Sequence, residues 1–523
     1  MHTPPHDKST SPAPHNADPP PTPLASPAPP SAKSLRSSTM RSMGILLGST
    51  VLTRGVAIVS QIALSWLLSE NDFGIIGLVL SIKVIAEIAK DAGVRDVMIQ
   101  CGDRWQRYYT PAFWLSGTAG LISLVLLLVA GAVAGWQLDE RTVGFMLAIV
   151  ALEAMFNAFS VVPAAALQRQ MRFGTLASGD IVYNSGTFLL VVLCAVLGFG
   201  AYSFVIPLPF TAFARLMIYW SLARTGRPGP PSVKHWGVIF GQSWYLIAST
   251  GIYRLYAYGD YFILTLFATR KEVGHYYMAY TVAIQFVSLL SANLASVLLP
   301  AFASIKESPQ RVRDGLTQAI RGCLSVGLPL LALQAICAPA AVKAVLAPKW
   351  EPSIPIIQIL SLALGLRITS GIIHAYFKSA GAFSAYFVLV CISTSGGLLF
   401  VWGAASSGGG PVGVALAILA WGLLFDPFTL MWGYRKAGLP IHGLLTAYAL
   451  PIANTTLALF PVWALDHWVL EPQALHAWLR LPLLGLTGLG MLWLTTPRLD
   501  PYAWKMGHEL VLSKLRRRRA KAS

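Results

Sequence analysis

Charged side chains standing inside long apolar runs are the residues of this sequence with chemistry to offer. Arg54 lies in the middle of the apolar segment 44–68, and Lys83, Glu87, Lys90 and Asp91 follow within 73–95. At 100° per residue those last four fall within an arc of roughly 100° on one helical face. Charge at membrane depth is expensive unless it faces a cavity or a partner, so each such residue is a functional candidate. The chemistry it suggests is anion recognition, because arginine gives phosphate charge-assisted, bidentate hydrogen bonds. Arg254 and Arg367 are also deep, whereas Arg215 is near enough to a helix end to snorkel. Glu153, Asp180, Asp260 and Asp426 are the other acids in apolar runs, and His374 is a lone histidine there. Arg54, Lys83, Arg254 and Arg367 are therefore taken as substrate-binding candidates, and Glu87 and Asp260 as ion-coupling candidates. Structural ion pairing competes with each reading, most directly for Lys83 and Glu87, which are spaced i,i+4.

The elements that must hold these charges are membrane helices. The 523 residues are 55% hydrophobic and only 12% charged, against about 25% charged in a soluble protein. About twenty apolar residues span a bilayer. That measure predicts fourteen helices: 44–68, 73–95, 110–135, 142–165, 176–199, 201–223, 240–268, 274–302, 320–346, 354–379, 382–403, 411–433, 444–465 and 475–495. The net charge of +17 gathers at the ends of apolar runs and not on one soluble face, which argues against a nucleic-acid partner. Alternate loops carry the excess of Lys and Arg, which puts both termini in the cytoplasm. Eleven of the first thirty residues are proline, with no apolar signal region, which reads as a disordered cytoplasmic tail. The basic stretch 497–523 reads as a second cytoplasmic tail, able to attract anionic lipid. The five cysteines are widely spaced and odd in number, so neither a disulfide framework, a metal site nor a cofactor is expected.

Shifting the sequence by 200 residues lays Ser49-Thr50 on Ser249-Thr250, Arg54 on Arg254, Asp72 on Glu272 and Gly74 on Gly274. Internal duplication predicts an all-α architecture of two six-helix lobes, 41–235 and 236–440, followed by a helix pair at 441–496. Transporters built from repeats bind substrate between the halves, near the bilayer midplane.

No GxSxG, Walker, HExxH or CxxC pattern is present, and the expected outer loops are short, which argues against an enzyme. Several stretches carry a resemblance: LLSENDFGIIGLV (67–79), DAGVRDVMIQ (91–100), TPAFWLSG (110–117), VPAAALQRQMRF (162–173), GDYFIL (259–264), VLLPAFASI (297–305), SPQRVRDG (308–315) and LAPKWEPSIPIIQIL (346–360). In order and spacing the chain resembles the Wzx-type polysaccharide exporters, flippases of lipid-linked oligosaccharides, nearest their colanic-acid exporter branch. They belong to the multidrug/oligosaccharidyl-lipid/polysaccharide superfamily. The resemblance implies two lobes around a basic cavity and an undecaprenyl-diphosphate-linked repeat unit as substrate. It further implies movement between leaflets of the bacterial inner membrane by alternating access, with membrane lipids and polysaccharide-assembly proteins as possible partners. A cation-coupled drug exporter of the same superfamily is the main rival, and a polysaccharide polymerase or ligase a weaker one.

Overall fold

A computed structural model describes residues 32–87, 94–100, 104–137, 140–233, 235–305, 308–436, 442–471, 476–501 and 504. The first half of the chain contributes α1 (Ala32–Leu67), α2 (Glu70–Glu87), α3 (Val94–Gln100), α4 (Trp105–Gln137), α5 (Arg141–Arg169), α6 (Phe173–Val196) and α7 (Pro207–Ala223). The second contributes α8 (Trp236–Phe267), α9 (Arg270–Ile305), α10 (Pro309–Val345), α11 (Ile354–Arg367), α12 (Ser370–Ser379), α13 (Phe383–Ser406) and α14 (Gly410–Lys436). The pair α15 (His442–Leu465) and α16 (Ala477–Leu499) completes the chain's helices. The start of α1 belongs to Met1–Gly44, and Ile45–Ser523 form one compact body. Among the described residues there is no strand.

The expected spans overlap these helices over the described residues, α11 and α12 together covering 354–379, while residues 88–93 of the expected span 73–95 lie outside the described residues. Eleven helical stretches among the described residues are long and apolar enough to cross a membrane. The chain is a multi-pass membrane protein. α1 begins well before the expected Gly44, and the two expected tails lie almost entirely outside the described residues. Only helices can span lipid as open elements, because each must satisfy its own backbone groups.

The 200-residue repeat has physical content at the point where the halves meet. Ser69 caps the start of α2, its N–H and Oγ both donating to Asp72 Oδ2 at 2.9 and 2.7 Å. Thr269 repeats this at α9, donating to Glu272 Oε2 at 2.8 and 2.7 Å. Each is a capping box, which satisfies N–H groups the first turn leaves open. One turn on, α2 and α9 cross backbone to backbone. A Cβ at Gly74 would lie inside 3.0 Å of the Arg270 carbonyl oxygen, and one at Gly274 inside 3.0 Å of that of Glu70. The contact is isologous: Gly74 meets residue 270 and Gly274 meets residue 70. Small residues let membrane helices approach this closely.

At the same end of the bundle the sequence LAPKWEP closes over α1. Trp350 is fully buried and donates from Nε1 to the Ser65 carbonyl at 2.9 Å, while Lys349 Nζ reaches the Leu68 carbonyl at 2.6 Å. These two side chains occupy carbonyls that the last turn of α1 leaves open. Phe73 packs edge-on against Trp350 at 4.9 Å, so helix cap and helix crossing share one aromatic core.

Among the described residues three non-glycines have positive φ, Met171, Arg224 and His235, and the first of them lies in a turn at the opposite end. The turn between α5 and α6 puts Met171 at φ 57°, and the corresponding turn between α12 and α13 puts Gly381 at φ 70°. A side chain in the left-handed region costs about 1–2 kcal/mol, and Met171 is 43% exposed. Met171→Gly is therefore expected to raise the melting temperature of the detergent-solubilised protein; an unchanged or lower value would show that the methionine side chain compensates.

The C-terminal pair is fastened at both ends. Arg480 and Asp466, each 6% exposed, form a two-pronged ion pair where α15 ends in a π turn. Asp500, fully buried beyond α16, accepts from Arg321 of α10 at 2.6 Å.

Candidate functional site

The first-half charges converge on one network. Lys83 on α2 pairs with Glu153 on α5 at 2.6 Å, and Glu153 is fully buried. The carboxylate also accepts from Asn157 Nδ2 at 2.9 Å and from the Tyr183 hydroxyl at 2.5 Å. Arg215 on α7 continues the chain: its guanidinium lies 3.9 Å from the Tyr183 ring centroid and donates to Asn157 Oδ1 at 2.6 Å. Its other side faces Asp180 at 3.8 Å, whose carboxylate also accepts from Tyr219 at 2.9 Å. Two bases and two acids thus knit α2, α5, α6 and α7 together. Lys83 finds a partner seventy residues away, beyond what the i,i+4 spacing could reveal. The side chain of Glu87 lies outside the described residues.

Arg54 is different. It is half-buried in α1, and among the described residues no acid or hydrogen-bond acceptor meets its guanidinium. Ile58 and Gln61 follow it at i+4 and i+7, on the same helical face. Those two residues line an apolar groove of about 520 Å³ between α1, α9, α10 and α16, whose walls include Val282, Leu333, Val342 and Leu489. A charged head position therefore sits one to two turns from an apolar trough.

The second half holds a cavity of about 250 Å³ walled by α8, α9, α11, α12, α13 and α14. Arg367, Asp260 and Asp426 all line it, along with Tyr253, Tyr256 and Tyr280. Arg367, at the end of α11, stacks 4.5 Å from the Tyr256 ring centroid. A Cβ at Gly422 would touch Arg367 Cγ at 3.3 Å and lie 3.7 Å from Asp426 Oδ2, which places the two charges side by side along α14. Asp426 Oδ1 accepts from Ser370 at 2.9 Å. Asp260 is held from behind by the Tyr276 hydroxyl at 2.6 Å and by the N–H of Tyr261 at 2.9 Å. Of the sequence candidates, Arg367 and Asp260 therefore share a site. Lys83 belongs to the first-half network, and Arg54 stands apart on α1. Arg254 is half-buried on α8 and is not part of the cavity wall.

Sequence reasoning did not select Glu153, Tyr183, Tyr256 or Asp426. The signal for the tyrosines was present: Tyr253, Tyr256 and Asp260 recur at i, i+3 and i+7 on one face of α8. Among the described residues no three His, Cys, Asp or Glu side chains converge as a metal site would require.

Comparison with known proteins places this geometry. Residues 63–355 match a family model described as polysaccharide biosynthesis protein. The teichuronic acid biosynthesis protein TuaB of Bacillus subtilis is 25% identical over 290 residues, 54% of this chain and 59% of that protein. This chain thus spans about three fifths of that relative's length. The lipopolysaccharide biosynthesis protein WzxC of Escherichia coli is 24% identical over 352 residues, 64% of this chain and 68% of the other. Among solved structures, the lipid II flippase MurJ in an inward closed conformation superposes with a TM-score of 0.68 at 13% identity. The match covers 86% of this chain and 98% of that one, a likeness of fold.

Proposed function

This chain belongs to the polysaccharide biosynthesis protein family, and from that premise we propose that it is a lipid-linked oligosaccharide flippase. The substrate is an oligosaccharide repeat unit on undecaprenyl diphosphate, carried by alternating access from the cytoplasmic to the periplasmic leaflet of the bacterial inner membrane. Both termini lie in the cytoplasm in this reading, and the α2–α9 crossing closes the periplasmic side. Two lobes of six membrane spans each, α1–α7 with the short α3 and α8–α14 with α11 and α12 counted as one span, move against each other, with α15 and α16 fixed to the second. The assembly proteins that use the delivered unit are the partners this role implies.

One observation carries the reading. Arg54 presents a guanidinium with no partner among the described residues, on the same face of α1 as the apolar groove. That combination fits an amphiphile with an anionic head and a long hydrocarbon tail: phosphate against arginine, isoprenoid against the groove. An exporter of cationic drugs needs the opposite sign at that place. Lys83 and Arg254 contribute positive potential deeper in the walls, and Asp260 is the coupling carboxylate, with Glu87 a second candidate on α2. The chain acts as a carrier, without a chemical step.

Charge-assisted hydrogen bonds contribute about 1.5–3 kcal/mol each, roughly tenfold to a hundredfold in affinity. Arg54→Ala is expected to weaken undecaprenyl-diphosphate binding by that factor in nanodiscs, with thermal stability unchanged because no partner is orphaned. Unchanged affinity in Arg54→Ala and in Lys83→Ala would remove the proposed site.

A further inference from the structure

We propose that the second-half cavity is a pocket for a single neutral pyranose residue of the transported oligosaccharide, a specificity site distinct from the diphosphate site at Arg54. The inference rests on the flippase reading and adds to it what part of the substrate is read, and where.

Size is the first argument. By the same measure, one water needs roughly 10–15 Å³, so 250 Å³ is far too large for a bare cation or one water. It lies just below the ~300–1,000 Å³ typical of pockets for small ligands, which suits one sugar ring.

Chemistry is the second. Asp426 is 5% exposed, and among the described residues its Oδ2 has no hydrogen-bond partner, nor has the buried hydroxyl of Tyr256. Unsatisfied buried polar atoms are costly, and a cavity that keeps two of them is shaped for an occupant that pairs both. Among the described residues the Arg367 guanidinium likewise meets an aromatic face but no acceptor. The wall thus offers a free acceptor at Asp426, free donors at Arg367, a hydroxyl at Tyr256 that serves as either, and tyrosine rings around them. A small cation is opposed by the resident guanidinium, and a phosphate by Asp260 and Asp426. A neutral ring bearing several hydroxyls on a stackable face matches the whole set. Tyr253, 48% exposed, stands at the rim and provides a way in.

The network in the first half sharpens the contrast. There, α2, α5, α6 and α7 bring Lys83, Glu153, Tyr183 and Arg215 into direct contact, and both carboxylate oxygens of Glu153 accept hydrogen bonds. In the second half Asp426 Oδ2 has no such donor among the described residues.

The test uses full-length protein in proteoliposomes with two lipids: undecaprenyl diphosphate carrying the native repeat unit, and undecaprenyl diphosphate carrying no sugar. Asp426→Asn and Tyr256→Phe are expected to reduce transfer of the sugar-bearing lipid at least tenfold, while binding of the sugar-free lipid stays within twofold of wild type. Arg54→Ala should weaken both. Equal transfer of the sugar-bearing lipid by the variants and wild type would overturn the pocket. So would equal losses on both lipids, which would mean that the two side chains act on transport as a whole and not on the sugar. If wild-type protein moves neither lipid, the flippase reading fails, and the pocket proposal falls with it.

Discussion

Replacing Gly274 with alanine is expected to prise apart the end of the bundle where the two halves meet. The new methyl group would fall inside 3.0 Å of the Glu70 carbonyl oxygen, a separation Cβ atoms essentially never show, and the obstacle is helix backbone that has no rotamer to change. Relief requires α2 and α9 to separate. Forced overpacking costs about 1–3 kcal/mol, which shifts the closed-to-open ratio roughly 5-fold to 150-fold. Gly74→Ala should act alike, because its Cβ would meet Arg270 in the mirror-image contact. Spin labels at Asn71→Cys and Lys271→Cys give the readout. The wild-type pair should show a short, narrow distance distribution, and either glycine variant a longer or broader one. An unchanged distribution in both variants would mean that the crossing is not what holds this end shut. Lys271 and Glu70 are 3.5 Å apart across the seam, and Arg270 pairs with Glu140 beside it. These pairs are partly exposed, so their loss should matter much less than the steric change.

The second large effect belongs to Glu153. Substituting leucine breaks the pair with Lys83, which is only 11% exposed, and removes the acceptor of Asn157 and Tyr183. Breaking a buried pair from one side costs about 3–5 kcal/mol, most of it the penalty of the stranded charge. Glu153→Leu should therefore lower the thermal midpoint in detergent sharply, and Glu153→Gln less, since its amide oxygen still accepts a hydrogen bond. Adding Lys83→Met to Glu153→Gln should recover part of the loss, because the buried pair is then removed from both sides. Additive losses in the double variant would refute a direct pair. Transfer activity separates stability from function: a double variant that is stable but inactive would give the ion pair a role beyond holding α2 on α5.

Much of the fold was legible because membrane helices announce themselves by length and apolarity alone. The expected spans overlap helices over the described residues for that reason. Two of the sparse matches at a 200-residue shift have geometric duties: Asp72 with Glu272 as helix caps, and Gly74 with Gly274 as the crossing. The site was less legible. Helical periodicity tells which residues share a face, but not which helix that face meets. Lys83 therefore had Glu87 as its visible neighbour, although Glu153 on α5 completes its pairing. The same limit hid the cavity, where Arg367 at the end of α11 and Asp426 within α14 come together only when the helices pack. Arg54 could be singled out from sequence because its distinguishing property is depth. Its lack of a partner and its alignment with the groove needed the structure.

The central claim, that this chain carries an anionic lipid-linked oligosaccharide across a membrane, is tested most directly by leaflet transfer. Purified protein is reconstituted in liposomes whose inner leaflet holds fluorescent undecaprenyl-diphosphate oligosaccharide, and a membrane-impermeant glycosidase is added outside. The account predicts protein-dependent exposure of the sugar that is lost in Arg54→Ala. Sugar exposure no faster than in protein-free vesicles, together with transport of a cationic dye, would contradict it.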